Sequence, residues 1–168
     1  MSIILSVCGG VLVIAAGTAM GLYKVQMLHR QRKILQDILE LLFLVRGGIC
    51  SQKASLELLC KQILLQKERF QVLEIEPVKG SPKQILLQWL CKQPNCQKLL
   101  PKQDISLLAQ WVQELGSGSV EQESQRLDFL EQLLKQSKEE AYLNEQKNAK
   151  VYLLLGICVG LAVVIVTF

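Results

Sequence analysis

The sequence predicts an all-α protein, in which a cytoplasmic bundle of five or six helices lies between two apolar segments. Three observations lead to this prediction. Apolar residues recur at helical spacing through most of the chain, and the turn-forming Gly and Pro residues occur at only a few places. All 19 basic and all 15 acidic residues lie within residues 24–150. We therefore expect three parts, residues 1–23, 24–150 and 151–168.

The two uncharged ends have the composition of membrane-spanning helices. A bilayer core takes about 20 apolar residues in a helix. Ile3–Tyr23 meets that length comfortably, and Val151–Phe168 meets it narrowly. The first basic residue is Lys24, so residues 1–23 lack the basic start of a signal peptide and are read as an uncleaved anchor.

Basic residues beside the two apolar ends predict their orientation. Those next to the ends, on the side of the central region, are Lys24, Arg30, Arg32, Lys33, Lys147 and Lys150. Basic residues near spans stay in the cytoplasm. The prediction is a two-pass protein of the cell membrane, with its middle domain in the cytoplasm and both termini extracytoplasmic. The four that follow the first span, Lys24, Arg30, Arg32 and Lys33, have a second possible use, which is to bind anionic lipid headgroups.

The first predicted helix continues from the first span into the central region. Its buried stripe is expected to contain Leu28, Ile34, Leu35, Ile38, Leu41, Leu42 and Val45. Gly47 and Gly48 are expected to end this helix. Ser51 then resembles an N-cap for a second helix over about residues 52–67.

The centre of the chain contains shorter elements. Residues 68–80 fit either a helix or an extended connection. Ser81 and Pro82 predict the start of a helix over about 82–93, which Pro94 ends. Pro101 marks a turn, Asp104 is expected to cap the next helix, and Gly116 to close it.

The last helix is predicted to be long. Ser119 and Gln122 have the spacing of a capping box. No Gly or Pro then interrupts the chain before Leu155. The expected buried face contains Val120, Leu127, Phe129, Leu130, Leu133, Leu134 and Ala141. If Gly118 has a positive φ, a β-branched replacement there is expected to disturb the entry to this helix.

Catalytic and cofactor motifs do not stand out in the sequence. The stretch Lys79–Lys83 lacks the spacing of a phosphate-binding loop, and His29 is the only histidine. The six cysteines contain no Cys-x-x-Cys pair, so small buried side chains are expected in place of a zinc site. We predict no enzyme, no cofactor, no metal, no nucleic acid and no small-molecule substrate.

Both apolar ends contain a pair of glycines four residues apart. The pairs are Gly17 with Gly21 and Gly156 with Gly160. Such faces let membrane helices approach closely. The sequence leaves open whether they pair within one chain or between chains, or whether they are chance occurrences.

The order of these segments resembles the stage III sporulation protein AB family of endospore-forming bacteria. The resemblance covers nearly the whole chain, and its most recognisable stretch is Gly118–Gln125, where Gly118, Ser119, Glu121 and Gln125 suit the family pattern. The family is similar to the cytoplasmic domain of the inner-membrane platform proteins of type II secretion. The resemblance implies a membrane component of the sporulation channel between mother cell and forespore. Its implied partners are a secretion-type ATPase and other channel subunits.

Three functions follow as hypotheses. The first is a non-enzymatic platform or adaptor subunit, which would bind its partner through the polar face of the last helix or through the region of Trp89 and Trp111. Each of these tryptophans is more typical of a core residue than of an interface hot spot. The second is a membrane-anchored signalling or regulatory protein with no transport role. The third, a membrane enzyme, lacks a catalytic set of residues in the sequence.

Overall fold

The computed structural model describes the backbone of residues 2–52 and 55–167, and the side chains of residues 15–49, 55–152, 154–159 and 162. Its regular elements in these ranges are six α-helices with one 3₁₀ turn and one π-helix, which confirms the predicted all-α class. The chain divides into two compact units. One contains Met1–His29 with Glu140–Phe168, and the other contains Arg30–Glu139.

The first helix, α1, runs over Ser2–Gln52. Six residues of its predicted stripe are at most 1% exposed, namely Ile34, Leu35, Ile38, Leu41, Leu42 and Val45. The prediction that Gly47 and Gly48 end this helix is wrong. Gly48 is buried inside α1, and a Cβ built on it would lie 2.0 Å from Cδ2 of Leu59. The missing side chain lets a second helix pack here, and this packing outweighs the low helix propensity of glycine.

The second helix, α2, spans Leu56–Leu65, and its N-cap is Ser55. The Ser55 side chain accepts a hydrogen bond from the backbone N–H of Leu58 at 3.4 Å. Our prediction of Ser51 as the cap of a helix over 52–67 is therefore wrong, because α1 continues past Ser51. Buried residues of α2 are Leu59, Cys60 and Ile63.

Residues 66–80 form a connection without a long helix. After a 3₁₀ turn at Lys67–Arg69 the chain is irregular up to Gly80. Helix α3 (Pro82–Leu87) then begins with the capping box of Ser81 and Gln84, which confirms the predicted start. It continues directly into a π-helix at Gln88–Lys92, so the predicted helix ends one residue early and changes its winding.

Two helices follow the π-helix. Pro94 begins the short helix α4 (Pro94–Leu99), since proline fits the first turn of a helix. Helix α5 spans Lys102–Glu114 and has Pro101 at its N-cap. The prediction that Asp104 caps α5 is wrong, because the helix begins earlier. Asp104 is instead 6% exposed, and its Oδ1 accepts a hydrogen bond from the Ser137 hydroxyl at 3.2 Å.

The last helix, α6, spans Val120–Thr167. Its capping box is confirmed, because Ser119 N–H donates to Gln122 Oε1 at 3.1 Å and Gln122 N–H donates to Ser119 Oγ at 3.3 Å. The positive φ before this helix belongs to Gly116, at 79°, and not to Gly118. The premise about Gly118 is therefore wrong. A Cβ on Gly118 would instead approach Gln122 Oε1 to 2.8 Å.

The core of the unit Arg30–Glu139 joins the apolar faces of all six helices. Besides the buried residues of α1 and α2, it contains Leu86, Trp89 and Leu90 of the α3 region, Leu108, Trp111 and Val112 of α5, and Leu127, Leu130 and Leu134 of α6. Two residues of the predicted α6 face are exposed, Val120 at 45% and Phe129 at 62%. Val120 is the first residue of the helix, and Phe129 lies off the stripe that Leu127, Leu130 and Leu134 define.

Within the two predicted spans, the side chains of residues 3–14, 153, 160, 161 and 163–168 lie outside the described ones. Within the part of the chain that the structure describes, no helix combines the length and the apolarity needed to cross a bilayer.

The adjacent glycines of α1 provide a matched test of the packing against α2. Gly48→Ala should lower the free energy of unfolding by about 1–3 kcal/mol, because the new methyl group collides with Leu59 in a filled core. Gly47→Ala should raise it by about 0.5–1 kcal/mol, since nothing lies within 4 Å of that Cβ and alanine favours the helix. Urea denaturation followed by tryptophan fluorescence measures both. Equal effects of the two changes would contradict the predicted contact.

Candidate functional site: a pinned loop, a helix pair and exposed apolar residues

The connection between α2 and α3 is held by side chains from other elements. Asp37 of α1, which is 4% exposed, accepts hydrogen bonds at one oxygen, Oδ2, from three consecutive backbone N–H groups. The donors are Gln71 at 2.9 Å, Val72 at 2.6 Å and Leu73 at 2.9 Å. Hydrogen bonds to a charged acceptor are about twice as strong as neutral ones. The carboxylate therefore fixes the path of the loop against α1.

Three further side chains fix the next part of the same loop. Gln93 binds both backbone groups of Glu74: its Oε1 accepts from the Glu74 N–H at 3.1 Å, and its Nε2 donates to the Glu74 carbonyl oxygen. Trp89 Nε1 donates to the carbonyl oxygen of Glu76 at 2.9 Å. Asn95 Nδ2 donates to the carbonyl oxygen of Val72 at 3.4 Å. These bonds replace the backbone partners that a helix or sheet would supply.

Sequence reasoning did not identify Asp37 or Gln93. The available signal for Asp37 was an acidic residue inside an apolar stripe, because a buried charge requires a partner. Its partners are backbone amides of the loop at residues 71–73, and nothing in their side chains indicates this role.

A second buried carboxylate stabilises the turn before α6. Glu123 is 3% exposed, and its Oε1 accepts from the backbone N–H groups of Gly116 at 3.0 Å and Gly118 at 3.3 Å. Arg126 lies 3.5 Å from the same oxygen. Glu123 lies within the stretch Gly118–Gln125, and sequence reasoning missed it. The four residues of this stretch that suit the family pattern are less buried than Glu123. Gly118 is half-buried, and Ser119, Glu121 and Gln125 are exposed.

The unit of chain ends contains a close helix pair. A Cβ built on Gly156 of α6 would lie 2.5 Å from the carbonyl oxygen of Gly17 on α1 and 3.6 Å from the Cα of Gly21. Further along, Nδ1 of His29 lies 2.9 Å from Oε1 of Glu145. Moving forward on α1 from Gly17 to His29 moves backward on α6 from Gly156 to Glu145, so the two helices are antiparallel in this unit. Gly160 lies outside the described side chains.

The basic residues next to the apolar ends fall into both units. Lys24, Lys147 and Lys150 belong to the helix pair and are exposed. Arg30, Arg32 and Lys33 belong to the other unit, where Arg30 is exposed and the other two are half-buried. Arg46, also in that unit, pairs with Asp128 at 2.7 Å and lies 3.7 Å from Glu131, which links α1 to α6 there.

Two large apolar side chains lie exposed beside one groove of the unit Arg30–Glu139. Phe43 on α1 is 69% exposed and Leu65 on α2 is 85% exposed. They line a cavity of about 330 Å³ together with Gly47, Gly48 and two glutamines.

The two tryptophans, in contrast, are buried. Trp89 and Trp111 are 2% and 5% exposed, so both belong to the core. Trp89 and Trp111 therefore do not provide a binding surface.

Three of the four cysteines whose side chains are described have the properties of packing side chains. Cys60, Cys91 and Cys96 are buried, and Cys158 is exposed. Burial raises the pKa of the Cys91 thiol to about 11, and burial with the nearby Cys91 and Glu74 raises the pKa of Cys96 to about 12. Among the described residues, no group of three or more His, Cys, Asp or Glu side chains is arranged to hold a metal ion.

Removal of the Asp37 carboxylate should release the loop. Asp37→Ala should lower the free energy of unfolding by about 3 kcal/mol or more, because three amides lose their acceptor. Asp37→Asn should cost less, since it removes the charge and keeps an oxygen. Hydrogen exchange should show lost protection at residues 71–73. Asp128→Asn, at a side chain 48% exposed, is the control and should cost at most about 1 kcal/mol. Equal losses for Asp37→Ala and Asp128→Asn would contradict this role.

Raised thiol pKa values predict both slow alkylation and a loss of stability in alkali. An unfolded thiol ionises near pH 9.0, whereas Cys91 and Cys96 ionise near 11 and 12 in the folded chain. Their contribution to stability is therefore complete below pH 9 and falls as the pH rises from 9 toward 12. At pH 8, iodoacetamide should modify these two residues far more slowly in the folded chain than in urea, as peptide mass spectrometry would measure. Equal rates in both conditions would show that the thiols are accessible.

Comparisons with known proteins give one match. The family model of stage III sporulation protein AB matches residues 6–168. No curated protein and no solved structure matches the chain. Since the family model covers nearly the whole sequence, the chain belongs to the stage III sporulation protein AB family and has a role in sporulation.

Proposed function

We propose that this protein is a non-enzymatic platform or adaptor subunit of the sporulation channel, anchored in the cell membrane by both ends. Family membership supports the role in sporulation. The adaptor role, the membrane anchor, the link to a secretion-type ATPase and the contacts with other channel subunits are parts of the proposal. In it the unit Arg30–Glu139 lies in the cytoplasm, on the mother-cell side, and contacts the ATPase.

The observation that carries the anchor is the apolar surface of the helix pair. Large apolar side chains there are exposed to an extent unusual for a surface in water, namely Met20 at 74%, Leu22 at 49%, Val151 at 47%, Leu154 at 60%, Leu155 at 53% and Val159 at 58%. Several large apolar side chains exposed on one helix pair indicate a partner surface or a membrane. The uncharged composition of residues 1–23 and 151–168 favours the membrane.

The adaptor role is supported by the exposed pair Phe43 and Leu65. Aromatic and other large apolar side chains beside a groove are typical anchor points of protein interfaces. Gly47 lines the groove and has no side chain, and nothing lies within 4 Å of the position of a Cβ there, so the α1 backbone is open to a partner residue. We therefore expect the secretion-type ATPase to contact this groove. No catalytic role is assigned to any residue.

Alkaline extraction tests the anchor. Membranes of cells producing the full chain are washed with sodium carbonate at high pH, which removes peripheral proteins. The chain should stay in the membrane pellet, because its two apolar ends are buried in lipid. Release of the chain into the supernatant would contradict the anchor.

Calorimetry with matched variants tests the adaptor role. The full chain in detergent should bind the secretion-type ATPase of the same organism at one saturable site. Phe43→Ser with Leu65→Ser should weaken binding at least tenfold, because each removes an apolar anchor. Phe129→Ser, at another side chain that is 62% exposed, is the control and should bind normally. Absence of binding at high concentration would contradict the ATPase link, and equal affinities would exclude the groove.

A further inference from the structure

Three lysines of the helix pair occupy one level although they are far apart in sequence. Gly17 lies against Gly156, and His29 lies against Glu145. This antiparallel register places Lys24 of α1 at the level of Lys150 of α6. Lys147 lies within one helical turn of both, because a turn contains about 3.6 residues. We call Lys24, Lys147 and Lys150 the lysine collar.

The lysine collar has little negative charge around it. All three side chains are exposed, and among the described residues none has a carboxylate within ion-pair distance. The nearest acidic residue along either helix is Glu145, which is already in contact with His29 at 2.9 Å. Three like charges at one level of the helix pair raise the local positive potential, which an approaching anion lowers. The collar therefore favours an anionic partner.

The surroundings of the collar indicate what kind of anion this is. Each helix has a tyrosine immediately on the apolar side of its lysine, Tyr23 beside Lys24 and Tyr152 two residues beyond Lys150. Tyr23 is 67% exposed. Exposed Met20, Leu22, Leu154 and Leu155 follow on the same side. Tyrosine between basic and apolar surface is typical of the headgroup level of a bilayer.

We propose that the lysine collar binds the phosphates of anionic lipids and so selects the lipids around the helix pair. The ligand is a phospholipid with a net negative headgroup, whose acyl chains lie against the exposed apolar residues below the tyrosines. A free phosphate would satisfy the lysines and would leave that apolar surface exposed. This inference rests on the membrane anchor proposed above and adds to it a chemical preference among lipids.

The test measures which lipids remain on the full chain. The protein is placed in mixed micelles that contain equal amounts of phosphatidylglycerol and phosphatidylcholine with identical acyl chains. Native mass spectrometry then gives the ratio of the two lipids bound. Each lysine near an anionic surface favours binding by roughly fivefold. Wild type should prefer phosphatidylglycerol, and Lys24→Gln/Lys147→Gln/Lys150→Gln should reduce the ratio by about tenfold or more.

Matched variants separate the collar from general charge effects. The control Lys79→Gln/Lys98→Gln/Lys102→Gln removes the same charge at three exposed lysines of the other unit and should retain the preference. Replacing the three collar lysines by arginine should also retain it, because guanidinium groups bind phosphate. A ratio that falls equally in the control and the collar variant would overturn the proposal. So would loss of the preference in millimolar inorganic phosphate, which would identify free phosphate as the ligand.

The lipid-ratio test of the lysine collar and the carbonate test of the membrane anchor can fail independently. If carbonate leaves wild type in the membrane and the lipid ratio does not depend on the collar, the anchor stands and the collar proposal fails. If carbonate releases the chain while the collar still determines the ratio, the anchor fails and the collar binds lipid from the surface. If carbonate releases it and the ratio is independent of the collar, both proposals fail.

Discussion

The carboxylate of Asp37 is the interaction on which the larger unit most depends. It lies on the buried face of α1, where an unpaired charge would be very costly, and it is compensated by three loop amides. The loop has no sheet or helix partner for these amides. The buried carboxylate therefore obtains the hydrogen-bond donors that it needs, and the three loop amides obtain the acceptor that they need. Gln93, Trp89 and Asn95 continue the same arrangement along the loop, and together they join α1, the π-helix and α4.

Glycine has three different roles in this chain. At Gly116 the backbone adopts a φ of 79°, which glycine tolerates without steric cost, and α5 ends there. At Gly48 the backbone is helical, and the missing side chain makes room for Leu59. At Gly156 the missing side chain lets α6 touch the backbone of α1 at Gly17. A glycine therefore signals a break or a close approach, and its neighbours in space decide which.

The charge distribution has a consequence for function. All charged residues lie between the two apolar ends, so the lysines nearest each end mark its boundary. The antiparallel pairing then brings the two boundaries to one level, where Lys24 of α1 and Lys150 of α6 lie at the same height. Two separate positions in the sequence therefore place positive charge at one level beside an apolar surface. The same pairing places Nδ1 of His29 2.9 Å from Oε1 of Glu145, the acidic residue nearest to these lysines along α6.

The sequence by itself determined the helical class, most of the buried faces and several helix starts. The α1 stripe, the capping boxes of Ser81 and Ser119 and the segregation of charge follow from periodicity and local hydrogen bonding, which depend on nearby residues. The tertiary structure alone decided that α1 continues through Gly48, that Asp37 binds the loop, and that Phe43 and Phe129 face outward. These features depend on which surface of another element lies opposite, and a local pattern contains no information about that surface.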